Sequence, residues 1–145
     1  MVKTGAGWIC ALILSWAGTP GHAEQRQSFG GWDVHYVVLP TGFLKPAIAA
    51  QYGITRGRDR ALVNISVLDP TGAPQKVSIE GTVKNLLGQL QPLAFREVTE
   101  GQAVYYLAAV KHTHEEVLRF EISLSAPDAP PMQLKFQQKL YWEDT

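Results

Sequence analysis

The sequence predicts an all-β protein: an immunoglobulin-like β-sandwich of about seven antiparallel strands with one short helix. Three observations carry this reading. From Ser28 onward apolar and polar residues alternate at period two, which places one set of side chains on each face of a sheet. Turn signals recur every dozen or so residues, as at Pro40-Thr41-Gly42, Asp69-Pro70-Thr71-Gly72 and Glu100-Gly101. Helical spacing occurs once, at Pro46 to Tyr52. A small β-barrel is the alternative closure of the same strands.

The first strand buries Trp32, Val34, Tyr36 and Val38, with Phe29, Gly31, Asp33 and His35 on its other face. The helix follows. Pro46 suits a first helical position, Gly53 suits the left-handed residue past the last turn, and Ile48, Ala49 and Tyr52 share one side that packs on the sheet. Ala61, Val63, Ile65 and Val67 give the second strand. Val77, Ile79 and Val83 give the third, with Gly81 read as a bulge. Asn85 to Gln89 is a turn or short crossing segment. Leu93, Phe95 and Val98 mark the fourth strand, and Ala103 to Val110 the fifth, in which Tyr105 and Tyr106 point to opposite faces, one of them a candidate for the outside. Leu118, Phe120, Ile122 and Leu124 line the sixth. Leu134, Phe136, Leu140 and Trp142 close the core in the seventh, with Lys135, Gln137 and Lys139 turned outward, which discourages edge pairing.

The N-terminus reads as an address. Lys3 is followed by the uncharged run Ala6 to Ala17 and then by Gly21 and Ala23, small residues at signal-peptidase spacing. Residues 1–23 are therefore expected to be a cleavable signal peptide and 24–145 a single exported domain, with cleavage after Ala17 as the alternative. The apolar run is shorter than the roughly 20 residues a spanning helix needs, and Pro20 and Gly21 end it. Cys10 sits inside that run, where a lipid anchor is not expected. Cleavage removes the single cysteine, so the mature domain has no disulfide or thiolate chemistry and is held by packing.

Charge narrows the function classes. Lys plus Arg number 13 and Asp plus Glu number 13; loss of residues 1–23 takes away one lysine and no acid, leaving a net charge of −1. No overall field draws the chain to nucleic acid or to an anionic membrane, and only a local basic patch is left open. The expected partners are another envelope protein or an anionic ligand, and no cofactor is called for.

Several stretches resemble a family of exported Gram-negative bacterial proteins that carries only a domain-of-unknown-function label. They are Thr41–Val67 (TGFLKPAIAAQYGITRGRDRALVNISV), Gly81–Gln89 (GTVKNLLGQ), Phe95–Ala108 (FREVTEGQAVYYLA) and Leu134–Asp144 (LKFQQKLYWED). The resemblance spans nearly all of the mature chain. It implies a periplasmic, sandwich-like domain and transfers no catalytic residue.

Two segments carry chemistry. Arg56, Arg58 and Arg60 alternate along what reads as an extended loop, so their guanidinium groups would project to one side and could clamp phosphate or carboxylate, with Lys45 able to join them. The competing reading is a solvated loop with Asp59 as partial counter-charge. In His112-Thr113-His114-Glu115-Glu116, extended spacing would aim His112, His114 and Glu116 the same way, a possible divalent metal site. The competing reading is a polar hairpin loop. Asn64-Ile65-Ser66 matches a glycosylation acceptor, and Asp33 with His35 lacks a nucleophile to make a triad. No nucleophile elbow, phosphate-binding glycine loop or His-Glu-x-x-His helix occurs. The expectation is a non-enzymatic periplasmic binding or protein-interaction module, with a metal- or small-ligand-handling protein using the His112/His114 loop as the alternative.

Overall fold

The structure, a computed structural model, describes residues 24–143; the proposed leader and its cleavage site lie outside them. Nine strands form two antiparallel sheets. They are β1 (Gln25–Phe29), β2 (Trp32–Pro40), β3 (Arg60–Leu68), β4 (Ser78–Asn85), β5 (Leu90–Leu93), β6 (Arg96–Glu100), β7 (Ala103–Lys111), β8 (Glu116–Ser125) and β9 (Met132–Leu140). A five-stranded sheet has the order β1-β2-β3-β7-β6 and a four-stranded sheet the order β5-β4-β8-β9. Between β2 and β3 lie a 3-10 turn (Thr41–Phe43) and the helix α1 (Pro46–Gln51). The sheets face each other as a sandwich, and no closed barrel forms among the described strands.

The two strands beyond the expected seven come from turns that the alternation hides. Gly30 and Gly31 both have positive φ, +57° and +88°, as a tight two-residue hairpin turn requires. They fold Gln25–Phe29 back on Trp32–Tyr36. The expected fourth strand is two: β5 pairs with β4, and the chain then crosses at Ala94-Phe95 so that β6 pairs with β7 in the other sheet.

The inner faces build the main core. Val34, Val38, Val63, Ile65 and Val67 of one sheet meet Phe120, Ile122, Leu124 and Leu134 of the other. The rings of Phe120 and Phe136 stack at 4.6 Å, and Tyr36 stacks on Phe136 at 4.4 Å. Each such side chain removes apolar area worth roughly 1.5–3 kcal/mol from water.

A second apolar cluster covers the outside of the five-stranded sheet. Leu39, Leu62, Tyr105 and Leu107 project outward and are sealed by Leu44, Ala49 and Tyr52 from the 41–57 segment, with Ile48 packed beside them. The helix therefore packs as its spacing indicates. This cover also corrects one expectation: neither Tyr105 nor Tyr106 lies outside, for both are buried. Tyr106 instead uses its hydroxyl, which accepts the Val77 N–H at 2.8 Å. Asn64 is buried in the middle of β3, so its acceptor pattern is out of reach.

Two further corrections concern β4 and β9. Gly81 is no bulge, because the ladder runs through it in register with Leu93 on one side and Ile122 on the other. It is a close approach: a Cβ there would lie 2.9 Å from Ile122 Cγ1 and 3.0 Å from the Glu121 carbonyl. Trp142 does not close the core. The strand ends at Leu140, and Trp142 stands 38% exposed.

Gly81→Ala is expected to destabilise the fold by about 1–3 kcal/mol, as overpacking does. Urea denaturation checks this, and a midpoint equal to the parent's would show that the close approach is not needed.

Candidate functional site

One end of the sandwich gathers the residues singled out in the sequence. The turn before β3, the β4–β5 hairpin, the β7–β8 turn and the chain after β9 all lie there. A single backbone bond joins two of them, from His112 N–H to the Asp59 carbonyl at 3.0 Å.

The arginines do not form a row. The chain turns at 57–60, closed by a bond from Arg60 N–H to the Gly57 carbonyl at 3.2 Å, so the extended spacing that would align them is lost. Fully buried Thr41 pins this turn. Its Oγ1 accepts the Gly57 N–H at 3.0 Å and lies 3.0 and 2.9 Å from the carbonyls of Gly57 and Arg60, which can take its proton. Arg56 donates back to the Gly42 carbonyl at 3.0 Å and holds the 3-10 turn. Arg60 enters β3 opposite Lys111. Lys45 occupies the position before α1, with no capping bond from its side chain. Arg58 alone faces outward onto a ring: its guanidinium carbon lies 4.2 Å from the centroid of Trp142, a cation–π contact.

The histidines are also separated, because the chain leaves β7 after Lys111 and turns before β8, with Glu115 in the left-handed region at φ +59°. His112 is buried, and its Nδ1 donates to the Thr113 carbonyl at 2.9 Å. His114 is half-exposed. Its Nδ1 accepts the Trp142 backbone N–H at 3.1 Å, and its Nε2 lies 3.5 Å from Glu115. Both oxygens of Glu116 are engaged, one by Thr113 N–H at 2.9 Å and the other by the Asn85 amide at 3.0 Å. Glu116 thus ties two hairpins together. Among the described residues, no three His, Cys, Asp or Glu side chains are grouped to hold a metal ion.

What the fold does bring together is Arg58, His114, Tyr141 and Trp142. The His114 ring lies 5.7 Å from Trp142 and 6.0 Å from Tyr141, and Lys139 sits 5.7 Å over Tyr141. Tyr141 and Trp142 are substantially exposed. Planar π-faces beside a guanidinium, an imidazole and an ammonium can stack on a ligand and pair with its anionic group. Beside this surface is a cleft of about 350 Å³ of mixed lining, whose polar members include Asp59, Asn85, Gln91, Lys111, His112 and Glu116. A larger hollow of about 520 Å³ lies at the opposite end, among Ser78, Ser125, Pro130 and Gln133, with no histidine or arginine in its lining. It offers less chemistry.

The sequence reading assigned Trp142 to the core and so missed it as the partner of Arg58 and His114. The available signal was the Tyr141-Trp142 pair directly after the last alternating residue, Leu140, where a strand's period no longer decides which ring is inside.

The described residues define an antiparallel two-sheet β-sandwich with an exposed cationic and aromatic end. The chain belongs to the DUF4426 family, a domain of unknown function, whose model matches residues 26–143. It is similar to a DUF4426 family protein from Pseudomonas aeruginosa PAO1, with 33% identity over 83% of this chain and 97% of that one and a TM-score of 0.75. FetP of uropathogenic Escherichia coli strain F11 shares the fold at 11% identity, with a TM-score of 0.56 over 83% of this chain and 95% of FetP. A copper-bound variant of FetP matches at the same identity and TM-score over 84% and 97%. Among curated proteins none matches.

Burial raises the Glu116 carboxyl, but its hydrogen bonds from Thr113 and Asn85 outweigh that and hold it below the usual glutamate range. The unfolded chain titrates near the ordinary value of about 4.3. The tie therefore stabilises fully above that pH and is lost as pH falls through the lower folded value. Glu116→Gln is expected to cost more stability at pH 7 than at pH 3, measured by urea unfolding. A cost independent of pH contradicts the assignment.

Proposed function

We propose that this protein is a non-enzymatic periplasmic binding or protein-interaction module. It recognises an anionic group on another envelope protein or ligand through Arg58, His114, Tyr141 and Trp142. The observation that carries the reading is the Arg58 guanidinium seated over an exposed Trp142 that is itself bonded to His114. This cation is already seated on an aromatic ring whose backbone is bonded to His114, so less side-chain freedom is lost on binding. The leader-like sequence supports the periplasm, and so does the likeness to FetP, which was recombinantly expressed in the periplasm of E. coli. Arg56 and Arg60 belong to the scaffold of this surface, not to its contact face.

Capture of a partner from envelope extract is expected to weaken at least about tenfold in Arg58→Ala, as loss of one desolvated charge pair does. It should also weaken as salt rises. Capture that is unchanged in this variant and insensitive to salt would remove the surface from consideration.

The second reading is metal handling at the His112/His114 loop, favoured by the fold likeness to a copper-bound FetP variant. Nε2 of His112 is the nitrogen left for a metal, since its Nδ1 donates to Thr113, whereas His114 would have to give up its Trp142 bond or its Nε2 proton facing Glu115 to bind one. Calorimetric titration with zinc and copper decides it. A stoichiometric, micromolar event abolished by His114→Ala supports the reading, and the absence of heat ends it.

A further inference from the structure

We propose that the β4–β5 hairpin tip and the adjoining end of the outer face of the four-stranded sheet form a docking surface for an anionic phospholipid bilayer. All five exposed large hydrophobic residues among those described lie at this end of the sandwich: Leu86, Leu87, Leu90, Tyr141 and Trp142. Leu87 is 85% exposed, Leu86 62% and Leu90 61%. They are held outward by the turn itself. The Asn85 Oδ1 accepts the N–H groups of Leu87 at 3.0 Å and Gln89 at 2.9 Å, while its amide donates to the Gln89 side chain at 2.7 Å. Gly88, at φ +83°, closes the turn with a bond to the Asn85 carbonyl. Nothing in the fold needs these leucines in water, where each loses the gain that burial brings.

The register sets cations beside them. Leu90, Lys84, Arg119 and Gln137 stand in one cross-strand row, and in the next row Lys139 is opposite Val117. Lys84 and Arg119 are like charges placed directly opposite, an unfavourable pairing unless an anion comes between them. Among the described residues none of Lys84, Arg119 and Lys139 has an ion pair. Of the nearby carboxylates, Glu116 is held by Thr113 and Asn85 and Glu115 lies beside His114, while Glu121 shares this face one row back, opposite Thr82 and Lys135.

An apolar tip beside three cations without an ion pair, with Glu121 as the one carboxylate on the adjoining row, calls for an occupant with an anionic face and an apolar interior. A free phosphate would satisfy the cations and leave the leucines wet. A protein partner would have to offer a groove for the tip. A bilayer meets both needs at once, with Tyr141 and Trp142 at the headgroup level that amphipathic rings favour. Among the described residues no helix is long and apolar enough to cross a membrane, so the contact is peripheral.

Cosedimentation tests the proposal with the 24–145 chain, which holds every strand of the sandwich, and vesicles of phosphatidylglycerol and phosphatidylethanolamine. The expected result is binding that falls with salt and is absent on phosphatidylcholine vesicles. Leu86→Ser with Leu87→Ser is expected to weaken it at least about tenfold. Lys84→Gln with Arg119→Gln should do the same, each basic residue near an anionic surface being worth about fivefold. These side chains are exposed, so far-ultraviolet spectra should not change. The same leucine variant should leave lipid-free capture of the partner through Arg58 intact, which separates this surface from the one proposed for the partner. No cosedimentation, or equal binding by the leucine variant, overturns the proposal. So does lipid-free capture of an envelope protein that the leucine variant abolishes, because the tip would then be a protein contact.

Discussion

The five-stranded sheet is apolar on both faces, and the rest of the molecule follows from covering the second one. In β3, Val63, Ile65 and Val67 face the opposite sheet, while Leu62 projects the other way beside Leu39 of β2 and Leu107 of β7. Left bare, that outer patch would be an exposed apolar surface of the kind that drives association. The chain covers it with its own 41–57 segment. Fully buried Thr41 ties one end of this cover to the 57–60 turn, and Arg96 ties the end of the helix by donating to the Tyr52 carbonyl at 2.8 Å. A buried hydroxyl is tolerated there because its partners satisfy it.

The cover determines where the chemistry goes. Closing the 57–60 turn separates three arginines that an extended chain would have aligned. One becomes a clamp on the 3-10 turn, one a strand residue, and Arg58 reaches the ring of Trp142. The same end receives the β7–β8 turn through the bond between His112 and Asp59, and the β4–β5 hairpin through Glu116 and Asn85. Backbone bonds and one carboxylate thus position a surface whose exposed groups owe nothing to the core.

Most of the fold was legible because alternation is a direct consequence of strand geometry. Every expected inward residue of the second and sixth strands is buried. Glycine was the weak point. Gly30-Gly31 continues the alternation on paper yet turns a hairpin, and Gly81 reads as a bulge yet marks a close contact with Ile122. Periodicity reports which face a side chain takes, not what lies over that face. Tyr105 was therefore a candidate for the surface, and only the fold of 41–57 puts it inside. The candidate site was half legible. Arg58 and His114 were named for their chemistry, but their common partner Trp142 lies past the strand's end, where alternation no longer applies.

Family membership and the likeness to FetP agree with the sandwich without assigning an activity to it. The claim beneath the functional reading is that the 41–60 segment is a fixed lid that sets the arginine turn. Residue-resolved amide hydrogen exchange tests this most directly. The Ile54 N–H is bonded to the Ala49 carbonyl at 2.8 Å and the Gly57 N–H to Thr41. Both amides should exchange slowly, with protection approaching that of β3. Fast exchange at Gly57 and Ile54 beside protected strands would contradict the account, for the turn that places Arg58 would then not be held.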